Sequence, residues 1–158
     1  ANQNNTKYIR LDKSFVVDGQ DNFDLAPLRV IQEGNDLNIL CYGSILEEAL
    51  KISENFTNKS IGIISTPIVS EINFNGLKSV IQETKNLITL EENSIMGGLG
   101  SLVATILLTN NADLDLFRSY GIKRDFSEVV GDQGFMRKHF NINSEYISKD
   151  LVKMGFSY

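Results

Sequence analysis

Short apolar runs alternate with amphipathic stretches along most of the chain. Strand-like runs are separated by segments in which apolar residues recur every three or four positions, the spacing of one helix face. Strands that alternate with helices need crossover connections, which favour a mostly parallel sheet covered on both sides. The pattern therefore predicts a three-layer α/β/α fold. Strands are predicted at residues 28–33, 37–42, 60–65, 87–90 and 114–122.

The helix after the second strand has the clearest stripe. Apolar side chains recur from Ile45 to Phe56, and Ser44 followed by Glu47 matches a capping box, which predicts that this helix begins at Ser44. Further helices are predicted at residues 76–85, 100–108, 134–140 and 144–153.

Two features near the N-terminus concern strand pairing. Gly34, Asn35 and Asp36 join the first two of these strands and tolerate tight-turn geometry, so an antiparallel pair is predicted there. Residues 7–11 (KYIRL) form an additional strand-like run, followed by a polar connecting segment at 12–24. No partner strand for residues 7–11 is evident in the sequence.

Composition narrows the class of protein. A length of 158 residues with 42% apolar content suits one domain with a real core. The net charge of −5 comes from 20 acidic and 15 basic residues without a block of like charge, which argues against nucleic acid or an anionic membrane as the main partner. One cysteine rules out an internal disulfide framework, and no apolar run reaches the ~20 residues of a membrane span. We expect a soluble, cytoplasmic protein.

A glycine cluster lies between a predicted strand and a predicted helix. Gly97, Gly98 and Gly100 stand where backbone amides could bind an anion at a helix N-terminus, with Ser44 as a further donor. The pattern is neither G-x-G-x-x-G in register nor a P-loop, since no Lys-Ser/Thr pair follows it. Two interpretations stay open: an anion or interface loop, or a joint that lets the helix pack close to the sheet.

Other candidate groups give no convincing catalytic set. Glu91 and Glu92 end a strand, but adjacent strand residues point to opposite faces and do not form one paired site. One of them could cap the following helix or accept hydrogen bonds at the sheet edge, or either could act as an acid, a base or a ligand for a hydroxyl or metal. Both are counted with Ser44 and the glycines in the candidate anion or interface loop. His139 lacks metal-ligand partners and is predicted to be structural, at or near the surface, whereas Cys41 in an apolar strand is predicted to be buried. Basic residues interleaved with acids predict a mixed solvated surface: Arg118, Lys123, Arg124, Arg137 and Lys138.

Three motifs follow one another along the chain: APLRVIQEGNDLNILCYGSILEEAL (26–50), LITLEENSIMGGLGSLVATIL (87–107) and SYGIKRDFSEVVGDQGFMRKHFNINSEYI (119–147). In this order they resemble the C-terminal domain of the transketolase family of thiamine-diphosphate enzymes. In that family a strand ending in E-G-x-D precedes a G-S helix start, and a strand ending in E-E-H precedes G-G-L-G. The resemblance covers about 130 residues from Ala26 onward. It implies a sheet of about five strands with one antiparallel strand.

The sequence departs from the family pattern at three places. Asn93 replaces the usual histidine, residues 123–126 change the usual order of aspartate, arginine and phenylalanine, and residues 139–141 only approximate a tyrosine-glycine pair. The subfamily therefore stays open between a sugar-phosphate transketolase, a deoxyxylulose-phosphate synthase and the β subunits of 2-oxoacid dehydrogenase E1 components.

The resemblance also implies an activity for the whole enzyme, namely transfer of a two-carbon ketol unit through a carbanion on thiamine diphosphate. The family binds the diphosphate and Mg²⁺ through a G-D-G motif, whereas residues 131–134 here read G-D-Q-G in another context. This chain is therefore expected to contribute no catalytic, cofactor-binding or metal-binding residue. Residues 8–11 resemble the last strand of the preceding pyrimidine-binding domain. The implied division is 1–24 for the end of that domain with its linker, and 25–158 for the C-terminal domain.

Two hypotheses follow. In the first, the chain is a non-catalytic assembly domain that packs against the pyrimidine-binding and diphosphate-binding domains and forms a homodimer through its sheet-end loops. In the second, it is a stand-alone anion- or nucleotide-binding module that uses Ser44 and residues 97–100. An independent enzyme is less well supported, because one cysteine and one histidine provide no identifiable nucleophile-base pair.

Overall fold

A computed structural model describes residues 26–123 and 127–157. They build one five-stranded sheet in the order β1-β3-β2-β4-β5. Neighbouring strands are parallel except β1, which runs antiparallel to β3, so the predicted sheet with one antiparallel strand is confirmed. The run at 7–11 and the segment at 12–24 lie outside the described residues. The strands are β1 (Arg29–Gln32), β2 (Leu37–Cys41), β3 (Ile61–Ser65), β4 (Asn86–Ser94) and β5 (Leu116–Ile122).

Helices cover both faces of the sheet and complete the three layers. One apolar core joins the sheet to the first and last helices, and a second core joins its other face to the second and third helices. Side chains alternate between these cores along each strand: Ile39 lies in the first and Leu40 in the second. The helices are α1 (Leu46–Asn55), α2 (Phe74–Ile81), α3 (Leu99–Thr109), α4 (Gln133–His139) and α5 (Ser144–Lys153).

The predicted antiparallel pairing of the first two strands is wrong. β1 is antiparallel, but its partner is β3, while β2 lies at the centre of the sheet between β3 and β4. The connection after β1 instead crosses the start of β3, where the Asp36 N–H donates to the Ser60 carbonyl and the Asp36 carboxylate accepts from the Ser60 N–H. These bonds fix the crossing and leave both edges of β2 for parallel partners.

The predicted start of α1 is also wrong. Ser44 lies in a short 3₁₀ turn, Gly43–Ile45, and α1 begins at Leu46 without a side-chain cap. The Ser44 hydroxyl is directed instead at Glu92 on β4. A long-range contact has therefore replaced the local capping box, and it brings this serine to the carboxyl end of the sheet.

Candidate functional site: the carboxyl end of the sheet

The carboxyl ends of β2 and β4 bring the candidate residues together at one end of the sheet, where ligands bind in many α/β proteins. Glu91 and Glu92 point to opposite faces, as predicted. Glu91 faces α3 and is fully buried, whereas Glu92 faces α1 and α4 and is partly exposed.

Glu91 binds the N-terminus of α3. Its two carboxylate oxygens accept hydrogen bonds from the backbone N–H groups of Leu99 and Gly100, each at 2.9 Å. These amides are the orphan donors of the first helical turn, at the positive end of the helix dipole. The chain's own carboxylate thus occupies the position at which an external anion would bind this helix.

The glycines allow that close approach. A Cβ on Gly98 would lie 2.1 Å from the Glu91 Oε2 atom, and a Cβ on Gly100 would lie 2.5 Å from the Ser119 Oγ atom on β5. Gly97 has a φ of +80°, a conformation that glycine adopts without strain. The geometry supports the second interpretation of this turn, as a joint between β4 and α3.

On the other face of the sheet, Glu92 joins the ends of three elements. Ser44 Oγ donates to Glu92 Oε2 at 2.9 Å, and Gln133 Nε2 donates to Ser44 Oγ at 2.9 Å and to Glu92 Oε1 at 3.1 Å. Asp132 caps α4 by accepting the Phe135 N–H at 2.8 Å, which places Gln133 in the first turn. We refer to Ser44, Glu47, Glu48, Glu92, Gln133 and Arg137 as the carboxyl-end network.

Arg137 is the centre of this network. Its Nε atom lies 2.7 Å from Glu92 Oε1, and its Nη1 atom lies 3.2 Å from Glu47 Oε2 and 3.6 Å from Glu48 Oε1. Burial works against the charged form, but hydrogen bonding to Glu92 and the nearby carboxylates outweigh it and raise the pKa of Arg137. Its Nη2 atom is buried and has no hydrogen-bond partner within the described part of the chain.

The predicted solvated surface is therefore wrong for Arg137, whose residue is only 4% exposed. It holds for Lys138, which is exposed, and Arg118, which is half exposed and pairs with Asp150 at 3.0 Å. Arg124 lies outside the described residues. Helix spacing explains the difference, because Gln133 and Arg137 are four residues apart and share the face of α4 that meets the sheet.

Glu48 extends the network to α5. It accepts a hydrogen bond from the Ser144 N–H at 2.6 Å and pairs with Lys51 at 3.1 Å. Burial alone would raise the pKa of Glu48, but the hydrogen bonds from Ser144 and Lys51 leave it lowered. Hydrogen bonding to Lys51 is also the main reason why the pKa of Glu47 is lowered. These charges tie α1, α4 and α5 into one unit.

The surroundings of the two remaining candidate groups, His139 and Cys41, indicate structural roles. His139 is exposed, as predicted, and its ring lies edge-on to Phe140 with 4.9 Å between the centroids. Cys41 is fully buried, as predicted, and burial raises the pKa of its thiol to about 12. A thiol of that kind is a poor nucleophile, since the thiolate is the reactive form.

The donor set does not suit a diphosphate bound to Mg²⁺. The Asp132 carboxylate is engaged as a helix cap, and Glu91 fills the N-terminus of α3. Among residues 26–123 and 127–157, no three His, Cys, Asp or Glu side chains gather in a way that could hold a metal ion. The described helices also include none with the length and apolar character to cross a membrane.

The fold described above agrees with a comparison with known proteins. Residues 27–147 match the family model described as "Transketolase, C-terminal domain". The chain is 30% identical over 145 residues to an apulose-4-phosphate transketolase subunit of Actinobacillus succinogenes, a match that covers 89% of this chain and 46% of that protein. It is 27% identical over 135 residues to 1-deoxy-D-xylulose-5-phosphate synthase of Clostridium tetani, covering 84% of this chain and 22% of that protein. The chain thus spans less than half the length of these curated relatives.

A solved structure shares the fold. A split-gene transketolase, described as an inactive beta4 tetramer, superposes with a TM-score of 0.72 at 21% identity, covering 83% of this chain and 43% of that one. This likeness independently supports the three-layer architecture.

Proposed function

Because the chain belongs to the transketolase C-terminal domain family, we propose that it is a non-catalytic assembly domain of a thiamine-diphosphate enzyme. The complete enzyme would transfer a two-carbon ketol unit between sugar phosphates, as the name of the apulose-4-phosphate relative suggests. Pyrimidine-binding and diphosphate-binding domains outside residues 25–158 would supply the cofactor site and the catalytic groups. We propose a cytoplasmic location for this enzyme.

The observation that carries this proposal is the internal use of the polar groups at the carboxyl end of the sheet. Glu91 takes the two amides at the α3 N-terminus, and Glu92 takes donors from Ser44, Gln133 and Arg137. Groups that are bonded to one another in this way brace the domain. Few of these donors would remain for the ligand of a stand-alone anion-binding module, which was the alternative hypothesis.

The same end of the molecule presents apolar side chains to solvent. Met96, in the loop after β4, is 65% exposed, and Phe135, in the first turn of α4, is 48% exposed. A contiguous exposed apolar patch rimmed by polar residues is typical of a protein contact site. We assign this surface, which includes the sheet-end loops, to packing against the neighbouring domains of the enzyme.

We also propose a homodimer of the complete enzyme. The split-gene transketolase of the same fold is described as a beta4 tetramer, an assembly of one subunit type, which supports self-association in a protein of this architecture.

A reconstitution assay tests the assembly role. Ketol transfer is measured with thiamine diphosphate and Mg²⁺ for this chain alone, and for this chain joined to its upstream coding region and combined with the proposed pyrimidine-binding and diphosphate-binding domains. Activity in the combined sample alone is the expected result, and turnover by the isolated chain would contradict it. A parallel assay for 1-deoxy-D-xylulose 5-phosphate formation separates the transketolase from the synthase named for the second relative.

Phe135→Glu is the informative variant for the docking surface. It places a charge in an exposed position and should weaken the combined activity while leaving the thermal midpoint of the chain unchanged. Lys138→Glu, at an exposed position one turn along α4, is the matched control. An equal loss of activity in both variants would refute a specific role for this surface.

A further inference from the structure

A cleft of about 360 Å³ lies along the outer edge of β5. β5 is the last strand in the order of the sheet, so β4 pairs with one of its edges and no described strand pairs with the other. Arg118 and Tyr120 reach the cleft from the face of the sheet that carries α5, whereas Phe117 and Ser119 reach it from the opposite face. The cleft therefore follows the edge of the strand, and no residue of the carboxyl-end network lines it.

The charged side chains in the wall of this cleft are both basic. They are Arg118 and Lys123, and no described carboxylate lines the cleft, although acidic residues outnumber basic ones by 20 to 15 in the chain. Asp150 pairs with Arg118 at 3.0 Å, whereas Lys123 has no ion-pair partner in the described part of the chain. Positive charge thus remains at the cleft, where it attracts an anion.

The Arg118 guanidinium is held in place by its neighbours. Its Nη2 atom lies 3.0 Å from Asp150 Oδ2, and its carbon lies 5.8 Å from the centroid of the Tyr120 ring. The Tyr120 hydroxyl donates to the same Asp150 oxygen at 2.9 Å, and burial raises the pKa of Tyr120, so this hydroxyl keeps its proton. Half of the Arg118 side chain stays exposed, which leaves part of its planar fork for an oxyanion.

Two neutral polar groups in the cleft wall have no internal partner. The Ser119 hydroxyl and the Asn141 side-chain amide line the cleft, and neither makes a hydrogen bond within residues 26–123 and 127–157. This differs from the carboxyl-end network, whose polar groups bond to one another. A few convergent polar groups in a cleft are typical of a small-molecule site.

Aromatic side chains complete the wall. Phe140 follows α4, and Tyr146 lies on α5, where it is 39% exposed. Their flat apolar faces suit contact with a ring. The volume of the cleft lies near the lower end of the range of about 300–1,000 Å³ for small-molecule sites.

We propose that the cleft along β5 binds a small phosphate monoester that carries a ring. Arg118 and Lys123 bind the phosphate together with the donors of Ser119 and Asn141, and Tyr146 packs against the ring. Four donor groups suit the three terminal oxygens of a phosphate better than the two oxygens of a carboxylate.

The proposed assembly domain supplies no catalytic group, so a molecule bound in this cleft would be an effector and not a substrate. The site itself does not depend on the proposed function, because binding is measured on this chain alone.

A titration with phenyl phosphate, followed by the amide signals in nuclear magnetic resonance spectra, tests the site. Saturable shifts are expected at Ser119, Gly121 and Asn141, which line the cleft. Phenyl phosphate should bind at least about fivefold more tightly than inorganic phosphate, because the ring adds contacts. Phenol lacks the oxyanion and benzoate has only two oxygens, so both should bind more weakly than phenyl phosphate. Equal binding of either one, or shifts that do not saturate, would overturn the proposal.

Charge variants identify the groups that bind the phosphate. Arg118→Gln and Lys123→Gln should each weaken binding of phenyl phosphate at least about tenfold, since each removes a charge-assisted hydrogen bond. Lys78→Gln is the matched control, because Lys78 is exposed on α2 in the opposite layer. Lys123 is exposed and unpaired in the described part of the chain, so its variant should fold even if loss of the Asp150 partner destabilises Arg118→Gln. Equal binding by Lys123→Gln and Lys78→Gln would refute the assignment.

Tyr146→Ala separates the ring from the phosphate. It should lower the affinity for phenyl phosphate to that for inorganic phosphate and leave the latter unchanged. An undiminished preference for phenyl phosphate would show that the ring does not bind here. Loss of phenyl phosphate binding when the other enzyme domains are added would show that one of them covers the cleft, which also overturns the proposal. Ketol transfer by the reconstituted enzyme tests the proposed function separately.

Discussion

The internal carboxylate at the N-terminus of α3 makes a quantitative prediction for Glu91→Ala. The substitution removes the acceptor for two backbone N–H groups that now bond at 2.9 Å each. It also leaves a space beside Gly98, since the Glu91 side chain is fully buried. Both effects destabilise the junction of β4 with α3, which joins the sheet to its second core.

The expected loss follows from those two bonds. An unsatisfied buried donor costs about 1–3 kcal/mol, so two of them give about 2–6 kcal/mol. The substitution also removes the desolvation penalty of a buried carboxylate, which offsets part of this cost. We expect the free energy of unfolding to fall by about 3 kcal/mol and the thermal midpoint to fall by roughly 6–12 °C for a domain of this size.

Urea denaturation followed by circular dichroism measures the loss, with Glu83→Ala as the control at an exposed carboxylate. The control should change stability by less than about 0.5 kcal/mol. Acetate should then stabilise Glu91→Ala more than the unaltered chain, by about 1 kcal/mol at five times its dissociation constant, because it refills the carboxylate position. If Glu91→Ala lowers the free energy of unfolding by less than about 1 kcal/mol, the α3 amides do not depend on Glu91. The inference that the Glu91 carboxylate fills the anion position of this helix would then be wrong.

Three further predictions concern the network and the core. Arg137→Met should lower the free energy of unfolding by about 2–4 kcal/mol, because it leaves partly buried carboxylates without their counter-charge. Lys138→Met, at an exposed position, is the control. Equal losses of stability in the two variants would contradict the ion-pair argument. The pKa of Glu48 is lowered from 4.5 in the folded state, so the unfolded chain takes up the proton first and the stability that Glu48 provides is lost as the pH falls below that value. The stability difference between the unaltered chain and Glu48→Gln should accordingly shrink from about pH 6 to about pH 3 in urea titrations, and a constant difference would refute the linkage. Cys41 should react with a disulfide reagent only as fast as the chain unfolds, since it is buried and its thiol pKa is raised to about 12. Fast labelling in native buffer would contradict this prediction and show that the reagent reaches β2 in the folded state.

The sequence pattern sufficed for most elements because their signals are local. The period of apolar residues located α5 at its observed bounds, and the strand predicted at 60–65 differs from the observed β3 by a single residue. Strand pairing was harder to predict, because the Gly34-Asn35-Asp36 turn is compatible with a hairpin and with the crossing over β3 that occurs. Only contacts with Ser60, far along the chain, distinguish the two.

The candidate site shows the same limit. Glu91 and Glu92 could be assigned to opposite faces from strand geometry alone, and burial of Cys41 followed from its apolar neighbours. The roles of Gln133 and Arg137 could not be deduced, because their partners Ser44 and Glu92 are 89 and 45 residues away. Nothing in the sequence next to Arg137 distinguishes its buried position from the solvated position of Lys138.

These long separations also order events during synthesis. Arg137 reaches back 90 residues to Glu47, so the carboxyl-end network cannot close until α4 has left the ribosome. Until then Glu92 and Ser44 lack their shared partner Gln133, and the surface around Met96 and Phe135 is not yet in place. A chain that ends before α4 would lack the donors Gln133 and Arg137, so the network forms only once residues 133–139 have been made.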